Sequence, residues 1–201
     1  MKKVLIAIFV FTLFFVSSAC ADGLYVGGNL GITMLEDAEV EGLTVESDTG
    51  YSLSGFVGYS KNKGRIEMET SYQTNDLDKL GVEGYGEVGI DGDVSSISML
   101  FNGYIDFTNS SSVTPYIGAG LGIARVEISK VDVPGYGDLT TKSVDDTVFA
   151  YQIGTGLLFK INDNIALDFK YRYLGTEDPE YEGVKIPYGS HDISLGMRYI
   201  F

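Results

Sequence analysis

Ile193-Ser194-Leu195-Gly196-Met197-Arg198-Tyr199-Ile200-Phe201 closes the sequence, and its parity points to the fold. Ile193, Leu195, Met197, Tyr199 and Phe201 share one face of a period-2 pattern, while Ser194, Gly196 and Arg198 share the other. Successive side chains of a strand point to opposite faces, so this is a strand with one apolar and one polar side. Chain ends usually fray in water. A strand running to a terminal ring is better placed with its apolar face on lipid and the ring at the membrane interface.

The opposite end agrees. Lys2 and Lys3 precede an apolar run from Val4 to Val16, and Ser17-Ser18-Ala19-Cys20-Ala21 is small throughout. This order predicts a secretory signal peptide over residues 1–21, cleaved after Ala21. The apolar run is short for a helical membrane span. An acylated Cys20 fits less well, because Ser17 stands where a lipoprotein signal wants leucine. Cleavage leaves residues 22–201 as one domain without cysteine, so no disulfide or thiolate chemistry is expected. It removes two lysines and no acid, leaving 12 basic against 28 acidic residues, a formal charge of −16. Such a surface excludes nucleic acid, whose phosphates need Lys and Arg.

After the signal, the longest uncharged stretch, Phe107–Ala124, is interrupted by Asn109, three serines, Pro115 and glycines. It cannot be a lipid-facing helix, so any later crossing must use strands, which cross lipid only as a closed barrel. Eight alternating segments follow: Leu24–Met34, Tyr51–Ser60, Arg65–Gln73, Ser95–Phe107, Pro115–Ile128, Thr147–Lys160, Ile165–Tyr173 and the C-terminal strand. Each is close to the ~9–11 residues a tilted membrane strand needs. Long connections follow segments one, three, five and seven. Short ones, Lys61–Gly64, Thr108–Thr114 and Ile161–Asn164, follow segments two, four and six. This alternation predicts an all-β, eight-stranded antiparallel up-and-down transmembrane barrel, with long loops outside and tight turns in the periplasm. A lipocalin-like soluble barrel would also alternate. The terminal Phe, the aromatic ends of the apolar face and the signal peptide favour the membrane arrangement.

The strings PYIGAGLGIA (Pro115–Ala124), FAYQIGTGLLFKI (Phe149–Ile161), LDFKYRYLG (Leu167–Gly175) and HDISLGMRYIF (His191–Phe201) resemble the outer-membrane β-barrel domain family. That family includes opacity-type and porin-like surface proteins, close to the small barrels typified by the transmembrane domain of outer membrane protein A. The resemblance implies a Gram-negative outer membrane and a surface-antigen type of protein. It also implies that Leu195, Met197, Tyr199 and Phe201 form the signal read by the barrel assembly machinery. No peptidoglycan-binding domain follows the last strand, so a cell-wall tether is not expected.

An eight-stranded barrel is just wide enough inside for side chains to fill it. On the polar parity, Glu67 and Glu69 belong to segment three, and Lys170 and Arg172 to segment seven, on the opposite wall. These charges are expected to meet across the lumen, joined by Arg65, Asp168 and Arg198, because buried charges must be paired. A polar plug is favoured over a narrow channel. Gly118, Gly120, Gly122, Gly154 and Gly156 read as room for bulky neighbours. Arg125 falls on the lipid parity, which calls for a bulge near Gly122 or a height from which it can snorkel.

The long loops hold 20 of the 28 acids. The expected partners are therefore outer-membrane lipid and lipopolysaccharide, or a basic host or matrix ligand for an adhesin. The protein is expected to be a monomer without a cofactor. Asp91-Gly92-Asp93 offers oxygen ligands but lacks the rest of a calcium loop. A lipid A-modifying enzyme would need a Ser–His pair within reach. His191 is the single histidine, and Ser190 and Ser194 fall on the opposite parity. The chain is thus read as a non-enzymatic, surface-exposed barrel of structural type, with an adhesin as the alternative.

Overall fold

A computed structural model describes residues 23–40, 43–82, 86–129, 131–133, 137–138, 143–181 and 184–201. The predicted signal peptide lies outside these residues. Eight long strands form the wall: β1 (Leu24–Leu35), β2 (Gly50–Lys61), β3 (Gly64–Val82), β4 (Asp93–Asp106), β5 (Val113–Ile128), β6 (Val144–Lys160), β7 (Ile165–Thr176) and β8 (Gly189–Ile200). Each pairs antiparallel with its neighbours in sequence, and β8 closes on β1 from Tyr25↔Ile200 to Leu35↔Ser190. Following the pairs once around from Tyr25, through Gly58, Glu67, Asn102, Gly120, Gln152, Leu174 and Ser190, returns to β1 at Leu35. The offset of ten residues over eight strands corresponds to a strand tilt of roughly 40°.

The short turns are written into local chemistry. Asn62 takes a φ of 58° in the β2–β3 turn, a left-handed conformation that Asn tolerates. In the β6–β7 turn Asn162 Oδ1 accepts from the backbone N–H of Asn164 (2.9 Å) and Ile165 (2.8 Å). Asn109 Oδ1 accepts from Ser111 N (2.7 Å) in the β4–β5 turn. These side chains replace the backbone acceptors that a reversing chain loses.

Outside, the apolar face is bare. Leu30, Leu53, Phe101, Leu121, Ile153 and Leu195 are 55–68% exposed. So continuous an apolar surface is far beyond what a soluble monomer carries. It runs between two sets of aromatic residues. Tyr59, Phe159, Tyr199 and Phe201 lie toward the turns, and Tyr51, Tyr72, Phe149 and Tyr151 toward the loops. Inside, every second residue is buried, from Tyr25, Asn29 and Thr33 on β1 to Ser190, Asp192 and Arg198 on β8. Tyr104 and Asn102 lie directly against Gly118 and Gly120, where a Cβ would strike their side chains. The arrangement is an inside-out version of a soluble barrel.

Three sequence expectations need adjusting. First, β8 begins at Gly189 and ends at Ile200; Phe201 follows it, held by its N–H on Leu24 O (3.0 Å). Second, of the two arrangements open to Arg125 the bulge drops out, because pairing through Gly122 runs without a register shift, and its height on the wall remains. Arg125 sits on the outer face toward the loop end, 3.0 Å from Asp145. Third, Thr74–Asp93 is not one loop. β3 continues to Val82 and pairs with a short strand at Leu43–Ser47 and another at Gly86–Gly89. Ala38–Val40 adds to the free side of Leu43–Ser47. Leu77 and Ile90 are buried beneath this small sheet against Val45, Leu80, Val94 and Val131. The loop end therefore has an apolar core of its own.

Candidate functional site

Strand parity aims the lumen residues, and the shear brings distant strands together. Near the turns, Arg65 on β3 donates from Nε to both Asp106 oxygens (2.8 and 2.9 Å) and from Nη1 to Glu67 Oε1 (2.8 Å). Its guanidinium carbon lies 4.5 and 4.6 Å from the ring centres of Tyr104 and Tyr116. Across the lumen, Arg198 Nη2 reaches Glu67 Oε1 (3.3 Å) and Asp168 Oδ2 (3.2 Å), with its guanidinium 4.2 Å from the Tyr25 ring centre. Tyr25 donates to Glu67 (2.7 Å) and Tyr116 to Asp168 (2.6 Å).

Midway up, Glu69 is fully buried and bridges two cations of β7. Lys170 Nζ donates to Oε2 and Arg172 Nη1 to Oε1, both at 2.7 Å. Arg172 Nε then donates to Asp192 Oδ2 (3.0 Å), which also accepts from Gln73 (2.6 Å). Each of Arg65, Glu67, Glu69, Asp168, Lys170, Arg172 and Arg198 is at most 5% exposed. With Asp106 and Asp192 the lumen holds four cations and five anions among the described residues, close to neutrality, whereas the whole chain stands at −14. Buried ions are tolerated only when paired and hydrogen-bonded.

Several participants escaped the sequence reading. Asp106 and Asp192 were not among the expected lumen charges, yet each binds an arginine there, Asp106 with Arg65 and Asp192 with Arg172. Tyr25, Tyr104 and Tyr116 give the turn side an aromatic layer, so the filling is not purely polar. The loop side is different again. Leu100, Ala124, Val126, Ala150, Leu174 and Tyr188 form an apolar lid. The Tyr188 hydroxyl is 2.9 Å from Ser96 Oγ and 3.3 Å from Gln73 Oε1. Tyr188 lies in the β7–β8 connection, just before β8, and burial pushes its hydroxyl up to about 12.

At the loop end a cleft of about 540 Å³ is lined by Asp48, Asp76, Asp78, Asp91 and Asp93 around Ile90. Lys79 does not line it but lies 3.9 Å from Asp78, and Glu87 and Asp78 raise the pKa of its ammonium. His191 is on the outer face at the loop rim. Its Nδ1 is 2.8 Å from the Tyr171 hydroxyl and its Nε2 is 3.5 Å from Glu36 Oε1. Ser190 and Ser194 are buried on the lumen side, and Asp192 is committed to Arg172, so His191 has neither serine as a partner. The residues expected to guide assembly, Leu195, Met197, Tyr199 and Phe201, stand 39–58% exposed on the outer face.

Comparison with known proteins agrees with this geometry. The family model described as outer membrane protein beta-barrel domain matches residues 6–201. Outer membrane protein PagN of Salmonella typhimurium is 27% identical over an alignment of 222 positions, gaps included, covering 92% of each chain. A putative adhesin of Rickettsia rickettsii is 27% identical over 111 residues, 50% of this chain and 49% of that protein. Among solved structures, Neisserial surface protein A superposes with a TM-score of 0.63 at 24% identity, covering 90% of this chain and 99% of that one. Its likeness is one of fold.

Proposed function

The chain belongs to the outer membrane protein beta-barrel domain family, and from that premise we propose that it is a surface-display barrel whose working part is its loop end. It is an outer-membrane protein. The observation that carries the proposal is the contrast between lumen and loop end. The lumen is packed with paired charges and rings and lidded by Tyr188, leaving nothing to conduct. The loop end is a sheet with its own apolar core, around a cleft of aspartates. A barrel needs no such sheet to be stable in lipid. In this reading the loops face outward and the turns face the periplasm, and the last strand with Phe201 guides insertion by the assembly machinery.

An adhesin is the second reading, favoured by the built loop sheet and by the rickettsial relatives described as putative adhesins. Its ligand would be basic, because aspartates line the cleft. The experiment compares the intact protein in proteoliposomes with a variant in which residues 74–93 are replaced by a short turn. Polylysine and basic matrix proteins are the probes. The adhesin reading expects binding that weakens with salt and is lost in the variant, whereas a display barrel without a ligand shows no binding that depends on these residues. Equal binding by both proteins would remove the loop sheet from the function.

A further inference from the structure

The outer wall has a notch that the protein's own packing does not require. Gly103 lies on the outward face of β4, in a row with Met99, Phe101 and Ile105, each more than half exposed. A Cβ added at Gly103 would find no heavy atom within 4 Å, and one added at Gly64 none nearer than 3.8 Å. The inward glycines are different. Gly118, Gly120 and Gly156 each lie against a large side chain, from Tyr104, Asn102 and Tyr116 respectively. Close packing accounts for those three and leaves Gly103 without a reason inside the molecule.

The missing side chains leave a groove of about 520 Å³ on the outside of the barrel. Tyr59, Ile66 and Ile105 wall it, Gly64 and Gly103 form its floor, and Lys61 stands at its turn-side mouth. The side chains of Arg65 and Tyr104, which also border it, are turned into the lumen and buried. Lys61 and the exposed Lys63 form no ion pair with another described residue. In a chain of formal charge −14 this turn is a local cationic spot at the edge of the apolar band.

An apolar slot with Lys61 at its mouth and Lys63 two residues along the same turn has the two ends of a phospholipid. Acyl methylenes would fill space that bulk lipid packs poorly, recovering dispersion contacts along the slot. Lysine stems would lie on the apolar wall while their ammonium groups meet phosphate at the interface. We propose that the groove over Gly103 binds one anionic phospholipid per barrel, with an acyl chain between Ile66 and Ile105 and the phosphate at Lys61 and Lys63. The proposal is independent of what the loop end binds.

Native mass spectrometry of the full, folded barrel in detergent tests it, with phosphatidylglycerol and phosphatidylcholine as probes. The expected result is one retained phosphatidylglycerol per barrel. Gly103→Leu, which has room for its side chain, lowers that retention. The pair Lys61→Gln and Lys63→Gln reduces the preference for phosphatidylglycerol over phosphatidylcholine about thirtyfold, the scale for two lysines near an anionic surface. Equal retention of both lipids by the parent protein overturns the proposal. So does unchanged retention in a Gly103→Leu barrel that still shows its heat-modifiable gel shift. Should that variant not fold, the lysine pair decides alone, and an unchanged preference overturns the site.

Discussion

At the scale of single residues, Glu69 holds the most exposed position in the energetic sense. It has no solvent contact and joins two strands by binding Lys170 and Arg172 at 2.7 Å each. Glu69→Ala leaves two buried cations short of a partner. Breaking a buried pair in this way costs about 3–5 kcal/mol. Denaturant unfolding in lipid vesicles should show a loss of that size, and a change below about 1 kcal/mol would mean that water already screens the site. The double change Glu69→Gln and Lys170→Met should recover much of the loss, because Arg172 keeps Asp192 as its partner and no ion is then left alone. Parity in the sequence identified these residues as inward. It puts Asp192 on the same inward parity as Ser194 and Arg198, but that Asp192 stands opposite Arg172 depends on the β7–β8 register, which parity does not carry.

At the scale of elements, β3 is the strand that departs furthest from its sequence reading. Its apolar alternation stops after Tyr72, which suggests a loop from Thr74. The inward parity nonetheless continues through Gln73, Asn75 and Leu77, all buried. The strand leaves the apolar band without ending, and Leu43–Ser47 and Gly86–Gly89 pair with it there. Leu77→Ala should loosen this sheet alone, by about 2–5 kcal/mol as for other buried leucines. Limited proteolysis would then cut within residues 74–93 while the barrel keeps its heat-modifiable shift. Loss of the shift would mean that the loop sheet and the barrel fold as one unit. The lid behaves separately. The Tyr188 hydroxyl is raised from its ordinary 10 to about 12, so the fold keeps it neutral where an unfolded chain would ionise it. Its stabilisation is complete below pH 10 and is lost as pH rises toward 12. Alkaline unfolding followed by circular dichroism should show this step, and Tyr188→Phe should remove it.

At the scale of the whole molecule, the ten-residue offset around eight strands sets both diameter and filling. In the proposed reading, a lumen of this width, crossed by Glu67–Arg198 and Glu69–Arg172 contacts, is a plug and not a channel. Purified protein in a planar bilayer should therefore show no large single-channel conductance. Steady openings of porin size would show that the plug moves. The charge is divided in the same way, with near-balance inside and acid concentrated in the loops. Salt should therefore weaken ligand capture at the loop end and leave barrel stability almost unchanged.

Much of this protein is legible without its coordinates. A period of two, repeated eight times between alternating long and short connections, leaves few ways to satisfy the backbone in lipid except a closed barrel. The same parity separates lipid-facing from lumen-facing side chains, because pleating makes that choice residue by residue. Which acid meets which base is not local information. That β3 faces β7 follows from a ring of eight, but the shear decides the partners, giving both Lys170 and Arg172 to Glu69 and Arg198 to Glu67. The loop sheet, the Tyr188 lid and the groove over Gly103 likewise arise from pairings and gaps between segments far apart in the chain, where period and spacing carry no signal.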